Sequence, residues 1–143
     1  MHWDEWNTLF SNHAVSALNF PIQSASDKIL KLMNRGYSFV HVKEFVTQIR
    51  KISPNTFIIT HIMVGFPGEN WIDFLKTLKA IFYFDFAHII TYSDREGTTS
   101  CLFENKISSF TKICRFFIVS IFLYVNFLKH LFLSVRKVKD KIY

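Results

Sequence analysis

Three short polar stretches, each following an apolar run, hold the residues best suited to chemistry in this chain. Gln23, Ser24 and Ser26 offer one amide and two hydroxyls directly after Pro21-Ile22. Gly65-Phe66-Pro67-Gly68-Glu69 follows Val64, and its glycines let main chain approach a ligand closely as well as turn tightly. Tyr92 opens into Ser93-Asp94-Arg95-Glu96-Gly97-Thr98. Arg35 carries a planar guanidinium suited to a carboxylate, although a cation is favoured at a helix end with no ligand present. Ser26 could touch a ligand or cap the helix that follows it. Glu69 could act as an acid or base, but its place just before a helix favours electrostatic support of that helix start.

Other chemistries find no residues to carry them. The histidines form no HExxH or HxH arrangement, and there is neither a nucleophile elbow nor a GxxxxGK[ST] phosphate loop. Cys101 and Cys114 are the only cysteines, without the spacing of a metal site. They give no disulfide framework and fit a reduced, cytoplasmic protein. The opening Met1-His2-Trp3-Asp4-Glu5-Trp6 has acids and tryptophans where a secretion signal needs a basic and then an apolar stretch.

The elements that must position these stretches alternate between two periods. Val15 to Ile22 reads as a short buried strand, followed by a helix with Ser26 as cap, Asp27 in the first turn and Ile29, Leu30, Leu32 and Met33 on the buried side. Asn34-Arg35-Gly36 stops it. Phe39, Val42, Phe45, Val46, Ile49 and Ile52 recur at helical spacing, with Ser38 as cap. Phe57 to Val64 is a nearly continuous apolar run, expected of a strand buried on both faces of a parallel sheet. Asn70 can cap a helix that turns Trp71, Phe74, Leu75, Leu78 and Phe82 inward, and Phe86 to Tyr92 reads as a third strand.

Strand, helices, strand, helix, strand with crossovers of this length dictates parallel pairing and right-handed connections. The expected class is α/β: a partial (β/α) barrel fragment of about three parallel strands with flanking helices, plus a hydrophobic C-terminal helix. Parallel strands bring the loops after Ile22, Val64 and Tyr92 to one carboxyl edge, where such sheets bind ligands. Three strands cannot close a barrel, so a missing N-terminal half-barrel or a partner chain is expected to supply the rest.

The 143 residues suit one ordinary domain, and 50% hydrophobic residues supply a core. A natural division is 1–105 for the half-barrel and 106–143 for an apolar helix with a basic tail. The net charge of +6 and a pI near 9.4 favour polyanions such as tRNA or an anionic membrane, though a basic tail is also just a solvated end. Phe116 to Leu128 is strongly apolar between Arg115 and Lys129 but short of the roughly twenty residues of a bilayer span. Extending it through 116–133 buries Asn126, Lys129 and His130. The segment therefore either covers a sheet edge or partner, or associates with a membrane.

Three strings together resemble one family. Asn19 to Tyr37, read as NFPIQSASDKILKLMNRGY, is similar to the fourth strand and following helix of radical S-adenosylmethionine methylthiotransferases. Ile62 to Glu69, IMVGFPGE, resembles their fifth strand and turn, and Tyr92 to Thr98, YSDREGT, their sixth. The resemblance covers roughly residues 15–105. It implies a partial (β/α)6 barrel with a [4Fe-4S] cluster, cleavage of S-adenosylmethionine to a 5′-deoxyadenosyl radical, and methylthiolation of tRNA or a ribosomal protein. It also implies that Gln23, Ser24, Ser26, Arg35, Val64, Gly65, Pro67, Gly68 and Tyr92 lie beside S-adenosylmethionine. The CxxxCxxC loop that holds three irons of such a cluster is absent from this sequence, so the resemblance supplies no metal ligand and no catalytic residue here. His61, Ala25 and Thr99 depart from the family's usual acid or small polar residue, glycine and proline. The expectations are an enzyme fragment that acts only when an N-terminal half brings the cluster, a non-catalytic remnant, or a small membrane-surface protein.

Overall fold

The computed structural model describes Thr8 and residues 15–142, with side chains to residue 132. Three strands, β1 (Ala17–Asn19), β2 (Phe57–Val64) and β3 (Phe86–Thr91), form one sheet in the order β1-β2-β3. Both pairings are parallel, with Asn19 opposite Ile59, His61 opposite His88 and Val64 opposite Thr91. α1 (Asp27–Leu32) and α2 (Phe39–Ile52) connect β1 to β2. α3 (Trp71–Ala80), extended by a 3-10 turn at Ile81–Tyr83, connects β2 to β3. A second 3-10 turn at Thr99–Leu102 leads into the long apolar helix α4 (Ser109–Ile142). This is the α/β arrangement that the alternating periods require.

One face of the sheet carries the core. Ile58, Thr60, Ile62 and Val64 alternate inward along β2 and are fully buried. Val42, Phe45, Val46 and Ile49 of α2 pack with Ile58, Ile22 and Phe84. Phe74 and Leu78 of α3 and Val119 of α4 pack with Ile62, Val64 and Ala87. Burying a side chain such as Phe74 contributes about 1.5–3 kcal/mol. The other residues of β2, from Phe57 to Met63, are exposed or half-exposed, so β2 is not buried on both faces as its apolar run suggests. All three packing helices lie on the same side, and hydrophobicity alone does not reveal sidedness.

Two further expectations change. β1 is shorter than Val15–Ile22, because ladder pairing stops at Asn19 and resumes only as a single parallel bridge between Gln23 and Ile62. On α3, Trp71 and Leu75 are 52% and 49% exposed, and Phe82 just beyond the helix is also exposed. The polar Asp73 and Thr77 occupy the sheet-facing stripe with Phe74 and Leu78, because each has a hydrogen-bonding partner waiting beneath it. Leu32 of α1 is likewise exposed rather than buried.

Candidate functional site

The three polar stretches do meet at one edge. Gln23 is tied to β2 on both sides, its N–H donating to His61 O and its carbonyl accepting from Met63 N–H, each at 2.8 Å. Phe66, from the turn after β2, stacks edge-on against Tyr92, from the end of β3, at 5.1 Å between ring centroids. Ile29 of α1 completes this small cluster, with Met33, Met63 and Phe103 around it. Over it opens a cavity of about 530 Å³, bordered by Gln23, Arg35, Met63, Phe66, Tyr92 and Arg95. Gln23 has φ of 64°, a left-handed conformation uncommon outside glycine, held by those two β2 hydrogen bonds. Asn34 at 55° is easier, since asparagine tolerates that region at a helix end.

Of the residues nominated from sequence, Gln23, Arg35 and Tyr92 border this cavity. Ser24 and Ser26 do not border it and are fully buried. Ser24 Oγ lies 3.2 Å from Thr77 Oγ1, which also accepts from the Ala25 N–H at 3.1 Å. Ser26 occupies the N-cap position of α1, but its hydroxyl makes no capping bond. It donates instead to Asp73 Oδ1 at 2.6 Å, so the expected cap is corrected: a buried carboxylate across the interface is a stronger acceptor partner than exposed helix amides are donors. Val64 is fully buried in the core.

Gly65, Pro67 and Gly68 form the turn itself. Gly65 has φ of 78°, and a Cβ there would lie 2.5 Å from Lys112 Cγ, so both backbone conformation and space demand glycine. Gly68, at φ 82°, donates its N–H to Asn105 O at 2.8 Å, and its carbonyl accepts from Lys28 Nζ at 2.7 Å. α4 and the segment before it thus overlie the turn that sequence reasoning offered to a ligand.

The turn is fastened by a buried ion pair. Glu69 Oε2 accepts from Gly65 N–H at 2.8 Å and from Arg115 Nη1 at 2.5 Å, with the two side chains 1% and 3% exposed. The guanidinium also lies over the Trp71 and Phe74 rings, 5.1 and 5.3 Å from their centroids. Burial pushes the Glu69 carboxyl above its ordinary value, against the Gly65 amide and the Arg115 cation, which both favour the charged form. Glu69 therefore supports this turn through its carboxylate rather than standing open as an acid–base group.

Two neighbouring carboxyls behave differently. Burial alone would raise Asp73, but hydrogen bonds from Ser26 and Asn70 and the ammonium of Lys28 more than reverse it, leaving the pKa lowered. Asn70 is the expected cap of α3: its Oδ1 accepts from Asp73 N–H at 2.9 Å and Asp73 Oδ2 accepts from Asn70 N–H at 3.1 Å. Asp94 is held below its usual value by Lys106, 2.8 Å away. The Tyr92 phenol is raised by burial while donating to Asp94 Oδ1 at 3.0 Å, and Lys112 Nζ donates to Tyr92 O at 3.1 Å.

Asp73, Thr77, Lys112 and Arg115 were not nominated from sequence. The first two stand four residues apart on α3, a spacing that places two polar groups on one stripe. Arg115 interrupts an apolar run, which signals a buried partner rather than a boundary. Neither a cluster nor a lone ion has a ready ligand set, because no group of three or more His, Cys, Asp or Glu residues comes together among the described residues. The cavity does suit a molecule with a carboxylate and hydroxyls, given Arg35, the Gln23 amide and an apolar floor of Met63 and Phe66.

A three-stranded parallel sheet with flanking helices and its polar turns gathered round a cavity at the carboxyl edge is a partial α/β fragment. The chain belongs to the radical SAM superfamily, whose family profile matches residues 2–81. It is 43% identical over 100 residues to tRNA-2-methylthio-N(6)-dimethylallyladenosine synthase of Lawsonia intracellularis, covering 68% of this chain and 22% of that protein. The synthase of the same name from Ruthia magnifica is 46% identical over 85 residues, covering 58% and 19%. That of Akkermansia muciniphila is 40% identical over 102 residues, covering 70% and 22%. The chain thus spans about a fifth of the length of these curated relatives. Members of the superfamily use S-adenosylmethionine and an iron–sulfur cluster.

Proposed function

We propose that this chain forms the S-adenosylmethionine side of a radical barrel whose cluster is held by other strands, and that it has no activity alone. The supporting observation is the convergence of the three turns on one cavity. Arg35 would take the carboxylate of the methionyl group and the Gln23 amide its amino-acid or ribose polar atoms, while Tyr92 closes the wall. Ser24, Ser26, Val64, Gly65, Pro67 and Gly68 would shape the rim from beneath. When bound opposite a reduced [4Fe-4S] cluster, the cofactor supplies a 5′-deoxyadenosyl radical. The relatives' printed name supports tRNA as the substrate in the assembled enzyme, with a ribosomal protein as the other substrate of the wider type, and cytoplasmic work. Residues 1–105 would be the barrel unit and residues 106–143 an appended helix and basic tail.

The test pairs this chain with an N-terminal half-barrel from the Lawsonia relative, reconstituted anaerobically. Release of 5′-deoxyadenosine from S-adenosylmethionine should need both parts and fall with Arg35→Ala or Gln23→Ala. A stable [4Fe-4S] spectrum from this chain alone, or turnover indifferent to both substitutions, would sink the reading.

A second reading is favoured by α4. Its span Ser109–Phe132 has a mean hydropathy of 1.6 in its most apolar window, only 17% of it buried, and supports association of the domain with a membrane surface.

A further inference from the structure

α4 is apolar on its outer side as well as on its docked side. It meets the domain through Arg115 on Glu69, Val119 among Ile62, Val64 and Phe74 with Ile118, Phe122 and Leu123 packed beside it, and Asn126 Nδ2 donating to Phe84 O at 3.0 Å. These positions form one helical stripe, mostly apolar, with Arg115 and Asn126 as its buried polar groups. The opposite stripe of Phe117, Ile121, Tyr124 and Leu128 is bare, with Phe117 and Tyr124 61% and 63% exposed. A helix of a water-facing domain carries polar residues on its outer side. The start of α3 is bare as well, its exposed Trp71 ring lying under the same Arg115 that anchors α4. Exposed apolar surface of this extent marks a binding face.

Charge selects the occupant. Between Glu104 and Asp140 the sequence contains no acidic residue; Lys106 is paired with Asp94 and Lys112 with Tyr92 O, and beyond them stand Lys129, Arg136, Lys137 and Lys139. A second copy of this chain would bring its own basic run from Lys129 to Lys139 and no acid from this segment to meet it. Anionic lipid headgroups attract these cations, while the aromatic stripe enters the acyl boundary. The docking also fixes orientation. To span a bilayer, α4 would have to pull Arg115 from Glu69 and Asn126 from Phe84 O and carry them, with Lys129, into hydrocarbon. Lying flat keeps every one of those bonds.

We propose that the bare stripe of α4 and the exposed start of α3 form a monotopic face that lies in the plane of an anionic bilayer. The proposal rests on the reading that α4 meets a membrane, and it adds the face, the lipid charge and the orientation.

Sedimentation of the full chain with phosphatidylcholine vesicles, and with vesicles of equal parts phosphatidylcholine and phosphatidylserine, tests it. Binding should be about tenfold tighter or more to the anionic vesicles, weaken with added salt, and be lost on Phe117→Glu with Tyr124→Glu. Both positions point away from the docked stripe, so circular dichroism and the urea midpoint should hold. If the midpoint falls, Phe117→Ser with Tyr124→Ser should give the same loss of binding in a folded chain. Equal binding to both vesicle types, or binding indifferent to both double variants, overturns the proposal. Resistance to carbonate extraction together with protection of the tail from added trypsin shows a span, which overturns the flat arrangement and leaves the membrane reading standing. No binding to either vesicle overturns both. A solution dimer dispersed by the same substitutions gives the face to a second copy and overturns the lipid assignment.

Discussion

Arg115 and Glu69, 46 residues apart in sequence, close a buried ion pair that ties the C-terminal helix to the turn after the central strand. The carboxylate passes the contact on, since the same oxygen holds the Gly65 N–H. The turn's shape therefore depends on a side chain outside the family-like segment.

Removing one partner of that pair strands the other without water. Arg115→Met or Glu69→Gln should each cost about 3–5 kcal/mol in urea unfolding. The double variant should lose less than the sum, since an unpaired charge no longer remains; strict additivity would mean that the two groups do not act together.

Gly65 separates backbone strain from local space. Gly65→Ala should destabilise by about 1–2 kcal/mol for the left-handed conformation alone, and further through the approach to Lys112. Lys112→Ala should recover only the second part. Gly36→Ala, where nothing lies within 4 Å of the new methyl and φ lies outside the left-handed range, should be tolerated in the same assay.

Acid should act through Asp73. Its folded pKa is lowered, so its contribution is present above the ordinary value of about 3.9 and is lost as pH falls through the lower folded value. Asp73→Asn should flatten this acid limb of the stability profile, measured by urea midpoints across the acidic range. An unchanged limb would move the effect to another carboxylate.

Thr77 holds two buried groups at once, the Ser24 hydroxyl and the Ala25 N–H. Thr77→Val keeps the volume and removes both bonds, and should cost about 1–3 kcal/mol in unfolding experiments. Thr77→Ser should restore most of it.

Much of this arrangement can be read from residues alone. The isoleucine-rich run gives β2 with its observed bounds, the stripe Val42, Phe45, Val46 and Ile49 gives the buried side of α2, and parallel crossovers bring the three turns together. What escapes is decided by partners distant in sequence. Ser26 looks like a cap because its neighbours are local, yet its hydroxyl answers to Asp73. Trp71 looks like core because it is aromatic, yet Thr77 and Asp73 take the interior with prearranged hydrogen bonds. The wall of the cavity is legible as motif, but the covering of Gly65 and Gly68 by Lys112 and Asn105 depends on how α4 lands.

That landing also imposes an order of events during synthesis. Glu69 leaves the ribosome well before Arg115, so the nascent strand–turn–helix unit carries a carboxylate that has no cation to bury against. The early chain must keep this corner wet and open, and the rim matures only when α4 arrives.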